Sequence, residues 1–188
     1  MYAKFIYYFT ALLNSLHLRL RGANLVCGSL PYFFSGVIRG RIYCLIGFHI
    51  GHASYIMGNL ELIGTNPEFY RNLELGERVC IGTHVTINID AKVTIEDNVT
   101  IGPYVRIYTS THDIGPGSQR CLPEVIRRPV VIERGSWIAM GAMILPGVHI
   151  GHGSVISAGA VVTKNVPPNS YVSGVPATIV QTLPRGNK

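Results

Sequence analysis

A chain of 188 residues has the length of one domain and can bury a sizeable core. With 47% hydrophobic and 14% charged residues it is neither disordered nor coiled coil, and its 21 glycines and 11 prolines mean that it turns often. The net charge of +6 sits almost wholly at one end. Lys4, Arg19, Arg21, Arg39 and Arg41 precede the first acidic residue, Glu61, and the rest of the chain sets 11 bases against 10 acids. A nucleic-acid footprint would spread over the fold or interleave with stacking aromatics, so the asymmetry speaks against nucleic acid and fits an anionic membrane surface better.

In chain order, Tyr2, Phe5, Ile6, Phe9, Leu12, Leu13, Leu16 and Leu20 recur at three- and four-residue steps. That spacing predicts an amphipathic helix over roughly residues 2–21. The uncharged run 5–18 is 14 residues long and carries Thr, Asn, Ser and His, too short and too polar to span a bilayer. Lys4 and the apolar residues after it suit a signal peptide, but no convincing small-x-small cleavage site follows. The segment is expected to pack on its own domain or on a sister subunit, or to touch a membrane peripherally through residues 1–41. Cys27, Cys44, Cys80 and Cys121 share no metal-binding spacing and are expected to be buried, reduced thiols of a cytoplasmic protein.

From residue 132 a strict repeat takes over. Ile132, Ile138, Ile144, Ile150, Ile156 and Val162 fall six apart, and four residues after each comes Ser136, Ala142, Val148, Ser154, Ala160 or Val166. The same step appears at Leu75, Ile81 and Ile87 with Val79 and Val85. After a two-residue offset it resumes at Ile95, Ile101 and Ile107 with Val99 and Val105; weaker copies begin at Ile50 and Ile56. Helical periodicity cannot produce six consecutive steps of six. Three such hexads make one triangular coil, and coils stack at about 4.8 Å, so the expected fold is all-β, a parallel β-helix.

The chain resembles the hexapeptide-repeat acyltransferases over about residues 45–180, most of all the sugar and polysaccharide O-acetyltransferase branch. The resemblance rests on Tyr-Thr-Ser-Thr-His-Asp at 108–113, on the hexads containing Trp137, and on Val-Val-Thr-Lys-Asn-Val-Pro-Pro-Asn at 161–169 followed by Gly-Val-Pro at 174–176. It implies a left-handed coil and a division into an N-terminal helical segment, 1–44, a β-helix acyltransferase domain, 45–180, and a tail, 181–188.

Between Ile107 and Ile132 the repeat is interrupted by a loop, 108–131, that holds His112 between Thr111 and Asp113. A histidine's ordinary pKa near 6.5 lets it take a proton from a hydroxyl at neutral pH. The resemblance implies that His112 is the general base, that the acceptor hydroxyl attacks an acyl-CoA thioester directly, and that a backbone N–H of a neighbouring coil stabilises the oxyanion. Asp113 is expected to orient the imidazole, touch the acceptor or make only a local turn. Arg120 is expected to hold a sugar hydroxyl or phosphate, or to form a surface salt bridge. The resemblance places Asn88 on the acceptor as well.

For the donor the resemblance implies Trp137 beside the site, Met140 and Ala158 along the pantetheine arm, and Thr163 and Lys164 near the adenosine and its phosphates. The chain departs from the galactoside-type pattern in carrying Thr178 and Gln181 where two arginines are expected, which leaves Lys164 and Arg185 for the 3′-phosphate. The pairs His49/His52 and His149/His152 fall at hexad turns and match no three-histidine zinc pattern, so no metal is expected.

The function implied is an acetyl-CoA-dependent O-acetyltransferase acting on a sugar, or on a polysaccharide or lipid-linked oligosaccharide precursor. It would be a cytoplasmic homotrimer with sites between subunits, with a peripheral association at the inner membrane face left open. The alternatives are acetylation of a small non-sugar acceptor, either a xenobiotic or an amino group, and a non-catalytic β-helix scaffold.

Overall fold

The computed structural model describes residues 17–32, 35–65 and 68–184. Its body is a left-handed parallel β-helix of five coils, each a triangle of short strands. The first face stacks His49–Ile50, Leu73–Leu75, Val93–Ile95, Val130–Ile132 and His149–Ile150. The second stacks Tyr55–Ile56, Cys80–Ile81, Thr100–Ile101, Trp137–Ile138 and Val155–Ile156. The third stacks Glu61–Ile63, Thr86–Asn88, Arg106–Ile107, Met143–Ile144 and Val161–Val162.

The sixfold spacing sets this register. Ile81 lies over Ile56 and under Ile101, and Ile138 continues the column to Ile156. Leu75, Ile95, Ile132 and Ile150 do the same on the first face. All these columns are buried, and each such side chain contributes about 1.5–3 kcal/mol by leaving water. The small residues of the repeat, Ser136, Ala142, Ser154 and Ala160, are buried at the corners.

Ten of the corners turn through a left-handed residue immediately before that small position. In the last two coils these are Gly135, Gly141, Gly147, Gly153 and Gly159; in the first three they are Ala53, Arg78, His84, Asn98 and Tyr104. The non-glycine residues contact each other from coil to coil: the His84 and Tyr104 rings stack at 5.0 Å, and Arg78 Nε donates to Asn98 Oδ1 at 2.8 Å. These contacts offset part of the roughly 1–2 kcal/mol that an L-residue loses in this conformation.

Two helices close the first coil, α1 (Leu18–Gly28) and α2 (Gly36–Leu45). Of the helix expected over 2–21, residues 1–16 lie outside the described part; in the described part a helix begins only at Leu18, after His17 in the left-handed conformation, and runs to Gly28, burying Leu20, Ala23 and Cys27. Arg39, 1% exposed, ties the cap together. It donates to the carbonyls of Cys27, Leu30, Pro31, Tyr32 and Ile56 at 2.5–3.5 Å. The guanidinium thus sits at the C-terminal end of α1, where carbonyl dipoles favour a cation. Tyr43 adds a second tie, its hydroxyl donating to Asn24 Oδ1 at 2.6 Å and accepting from the Leu60 N–H at 2.9 Å.

At the far end Ser170–Gly174 joins the second face and turns back into the antiparallel strand Ala177–Thr182. The cysteines differ from expectation in burial. All four are free thiols, but only Cys27 is buried; Cys44 and Cys121 are exposed because they lie on the outer side of α2 and on the inserted loop.

Candidate active site

The interruption in the repeat is a β-hairpin, Ser110–Ile114 against Cys121–Arg127, thrown out at the corner between the third and first faces. Its register slips between His112 and Ile114, and such a bulge re-aims the side chains beside it. His112 is exposed, and its Nδ1 lies 2.7 Å from the carbonyl oxygen of Leu122 on the facing strand. A carbonyl only accepts, so Nδ1 carries the proton and Nε2 keeps its lone pair for a substrate hydroxyl. The group bonded to the imidazole is thus a backbone carbonyl. Asp113 is exposed beside His112.

A buried polar network anchors the root of the hairpin to the coil before it. Asn88 Oδ1 accepts from the Thr109 hydroxyl at 2.6 Å, the Thr109 N–H at 3.2 Å and the Ser110 hydroxyl at 3.2 Å, while its amide donates to Asp90 Oδ2 at 3.0 Å. Asp90 also accepts from Ser110 at 3.2 Å and from the Thr65 N–H at 2.7 Å. Burial pushes the Asp90 carboxyl up, but the hydrogen bonds from Thr65, Asn88 and Ser110 outweigh it and hold the group below the usual aspartate range. Ser110 and His112 lie two apart on one strand and so share a side. Asn88, 5% exposed, thus has its oxygen committed to the root of the hairpin that carries His112. The network of Thr65, Asp90, Thr109 and Ser110 is absent from the sequence-based candidates. Its signal is the two-residue offset between Ile87 and Ile95, which is the corner where Asn88 and Asp90 sit.

Arg120 spans the hairpin tip, donating through Nη1 to the carbonyls of Gly115 at 3.1 Å and Pro116 at 3.3 Å. That guanidinium nitrogen braces the loop, because the tip carbonyls lie within its reach.

The donor-side residues occupy two places. Trp137 is 52% exposed on the second face, between Thr100 and Val155. Met140 and Ala158 lie one above the other at the corner between the second and third faces, where Gly159 N–H donates to the Met140 carbonyl at 3.0 Å. Thr163 and Lys164 are exposed on the top coil at the hairpin's own corner. A face of six residues separates the two corners by about 15–20 Å. Within one chain the root of the hairpin and the Met140–Ala158 corner therefore lie a full face apart. Arg185 lies outside the described residues. His149 and His152 both meet the Glu133 carboxylate, at 2.8 and 3.2 Å. Among the described residues no group of three His, Cys, Asp or Glu side chains is arranged to hold a metal ion.

The model of the bacterial transferase hexapeptide (six repeats) family matches residues 129–164. Nodulation protein L of Rhizobium meliloti is 45% identical over 119 residues, covering 60% of this chain and 63% of that protein. Galactoside O-acetyltransferase of Escherichia coli is 37% identical over 112 residues, covering 60% and 55%. The matches therefore span little more than half the length of these curated relatives. Among solved structures, a hexapeptide-repeat-containing acetyltransferase of Vibrio cholerae, complexed with acetyl coenzyme A, superposes with a TM-score of 0.74. It has 30% sequence identity and covers 90% of this chain and 88% of its own.

Proposed function

We propose, because the chain belongs to the hexapeptide-repeat acetyltransferases, that it transfers the acetyl group of acetyl-CoA to a hydroxyl of a sugar or of a polysaccharide precursor. The observation that carries this reading is the His112–Leu122 bond, which leaves a lone pair at Nε2 on an exposed hairpin. His112 takes the acceptor's proton as its oxygen attacks the thioester carbon. The carbonyl electron pair moves to oxygen and returns as the C–S bond breaks, and the imidazolium gives its proton to the departing CoA sulfur. A backbone N–H from a corner of the coil stabilises the transient oxyanion. Asp113, exposed beside the base, is proposed to meet the acceptor; Asn88 acts by holding the hairpin's root.

The donor is proposed to lie along Trp137, Met140 and Ala158, with Thr163 and Lys164 toward its phosphates. Since the root of the hairpin stands a full face away from the Met140–Ala158 corner, the site is completed by a second copy. A homotrimer, in which each hairpin meets the neighbour's corner, satisfies this for all copies at once. A cytoplasmic setting, where acetyl-CoA is available, goes with this reading. Among the described residues no helix is long and apolar enough to cross a membrane.

The test is release of free CoA from acetyl-CoA with a panel of sugar acceptors. His112→Ala is expected to lose about 10²–10⁴-fold in turnover with acetyl-CoA binding retained. Turnover that survives the substitution removes His112 from the chemistry.

A further inference from the structure

Helices that pack on a domain commonly hide their apolar residues; α1 and α2 also show theirs. In α1 the buried stripe is Leu20, Ala23 and Cys27. At 100° per residue, Leu18 and Leu25 fall on the opposite side, with Arg21 on one flank and Val26 and Arg19 on the other. Leu18, Leu25 and Val26 are 60%, 79% and 52% exposed. Helix α2 buries Gly36, Arg39, Gly40 and Tyr43 and turns Val37, Ile38 and Leu45 outward with Arg41 among them. Leu45 is 87% exposed. No carboxylate side chain stands in either helix, since Glu61 is the first acid of the chain. Arg39 adds nothing to the surface charge because the carbonyls described above enclose it, so Arg19, Arg21 and Arg41 carry it.

We propose that the outward face of this helical cap docks on an anionic lipid bilayer. An apolar stripe with guanidinium groups beside it suits the boundary between acyl chains and phosphates: the leucines, valines and isoleucine enter the hydrocarbon edge while the arginines stay at the headgroups. A second copy of the same face would set arginine against arginine with no acid between them, which disfavours self-pairing. Helices of 11 and 10 residues lie on the surface and do not cross it. The inference does not rest on the catalytic reading and can stand or fall without it.

The test sediments the full chain with vesicles of phosphatidylcholine alone and with vesicles in which roughly one third is phosphatidylglycerol. Binding is expected only to the anionic vesicles and to weaken at high salt. Each exposed arginine is worth about fivefold in partition, so Arg21→Gln with Arg41→Gln is expected to lower it about 25-fold. Leu25→Gln with Ile38→Gln is expected to abolish binding without changing the unfolding midpoint or the mass in solution. Equal binding to both vesicles, no binding to either, or partition indifferent to both double variants would overturn the proposal. So would a change of mass in the Leu25/Ile38 variant, which would make the face a subunit contact.

Discussion

At the scale of single residues, the His112 imidazole, the proposed base, is oriented by a backbone oxygen, and its hairpin is held by a buried carboxylate. The Asp90 bonds carry a pH signature. A carboxyl whose native pKa lies below its unfolded value, about 3.9, stabilises the fold fully above that value. Its contribution shrinks as pH falls through 4 and is gone below the native pKa. Asp90→Asn should therefore lower stability at pH 7 and reduce the loss that wild type shows on acidification below about pH 4. Thermal unfolding across pH 2.5–7, on the order of the range where aspartate titrates, reads both effects. Parallel curves for the two proteins would mean that the hydrogen bonds drawn to Asp90 do not matter in solution. Of this network only Asn88 was named from the sequence; its bonds were not legible, because Asn88 and Thr109 are 21 residues apart and meet only when coil stacks on coil. Nor was the Leu122 carbonyl, since a backbone atom leaves no trace in residue identity. What was legible is His112 itself, through the break in the repeat around it.

At the scale of elements, the hexad columns were readable because a period of six leaves only one way to bury every sixth residue. The helices were less so: glycines at 36 and 40 interrupt the apolar pattern of α2, and Gly40 lies against the Ser54 carbonyl of the first coil. Glycine has a sharper role at position 102. A Cβ there would come 2.7 Å from the backbone nitrogen of Met140 on the next coil, while Gly141 has open space and needs glycine only for its φ of +71°. The two substitutions separate steric from conformational cost. Gly141→Ala is expected to cost about 1–2 kcal/mol with acetyl-CoA affinity kept. Gly102→Ala is expected to cost about 1–3 kcal/mol and also to weaken acetyl-CoA binding, because the coil must move at Met140. Calorimetric unfolding together with acetyl-CoA titration decides it; unchanged affinity in Gly102→Ala would place the donor away from that corner.

At the scale of the whole molecule, the proposed function would make assembly part of the chemistry. If each site takes His112 from one copy and the Met140–Ala158 corner from another, His112→Ala and Ala158→Trp are each inactive alone. Mixed and reassembled together, they should regain roughly a quarter of wild-type activity, since about one interface in four then joins an intact base to an intact donor corner. Activity that stays absent in verified mixed assemblies would place both halves in one copy. The hairpin has a consequence of a different kind. Val93–Ile95 pairs directly with Val130–Ile132 across the 34 intervening residues, so the coil closes beneath the insertion in unbroken register. Lengthening such a loop costs only about 0.6 kcal/mol per doubling. The coil that carries the Met140–Ala158 corner is therefore mechanically insulated from the hairpin tip, and on the proposed function segments of other lengths grafted there would change the acceptor while the donor side is inherited intact.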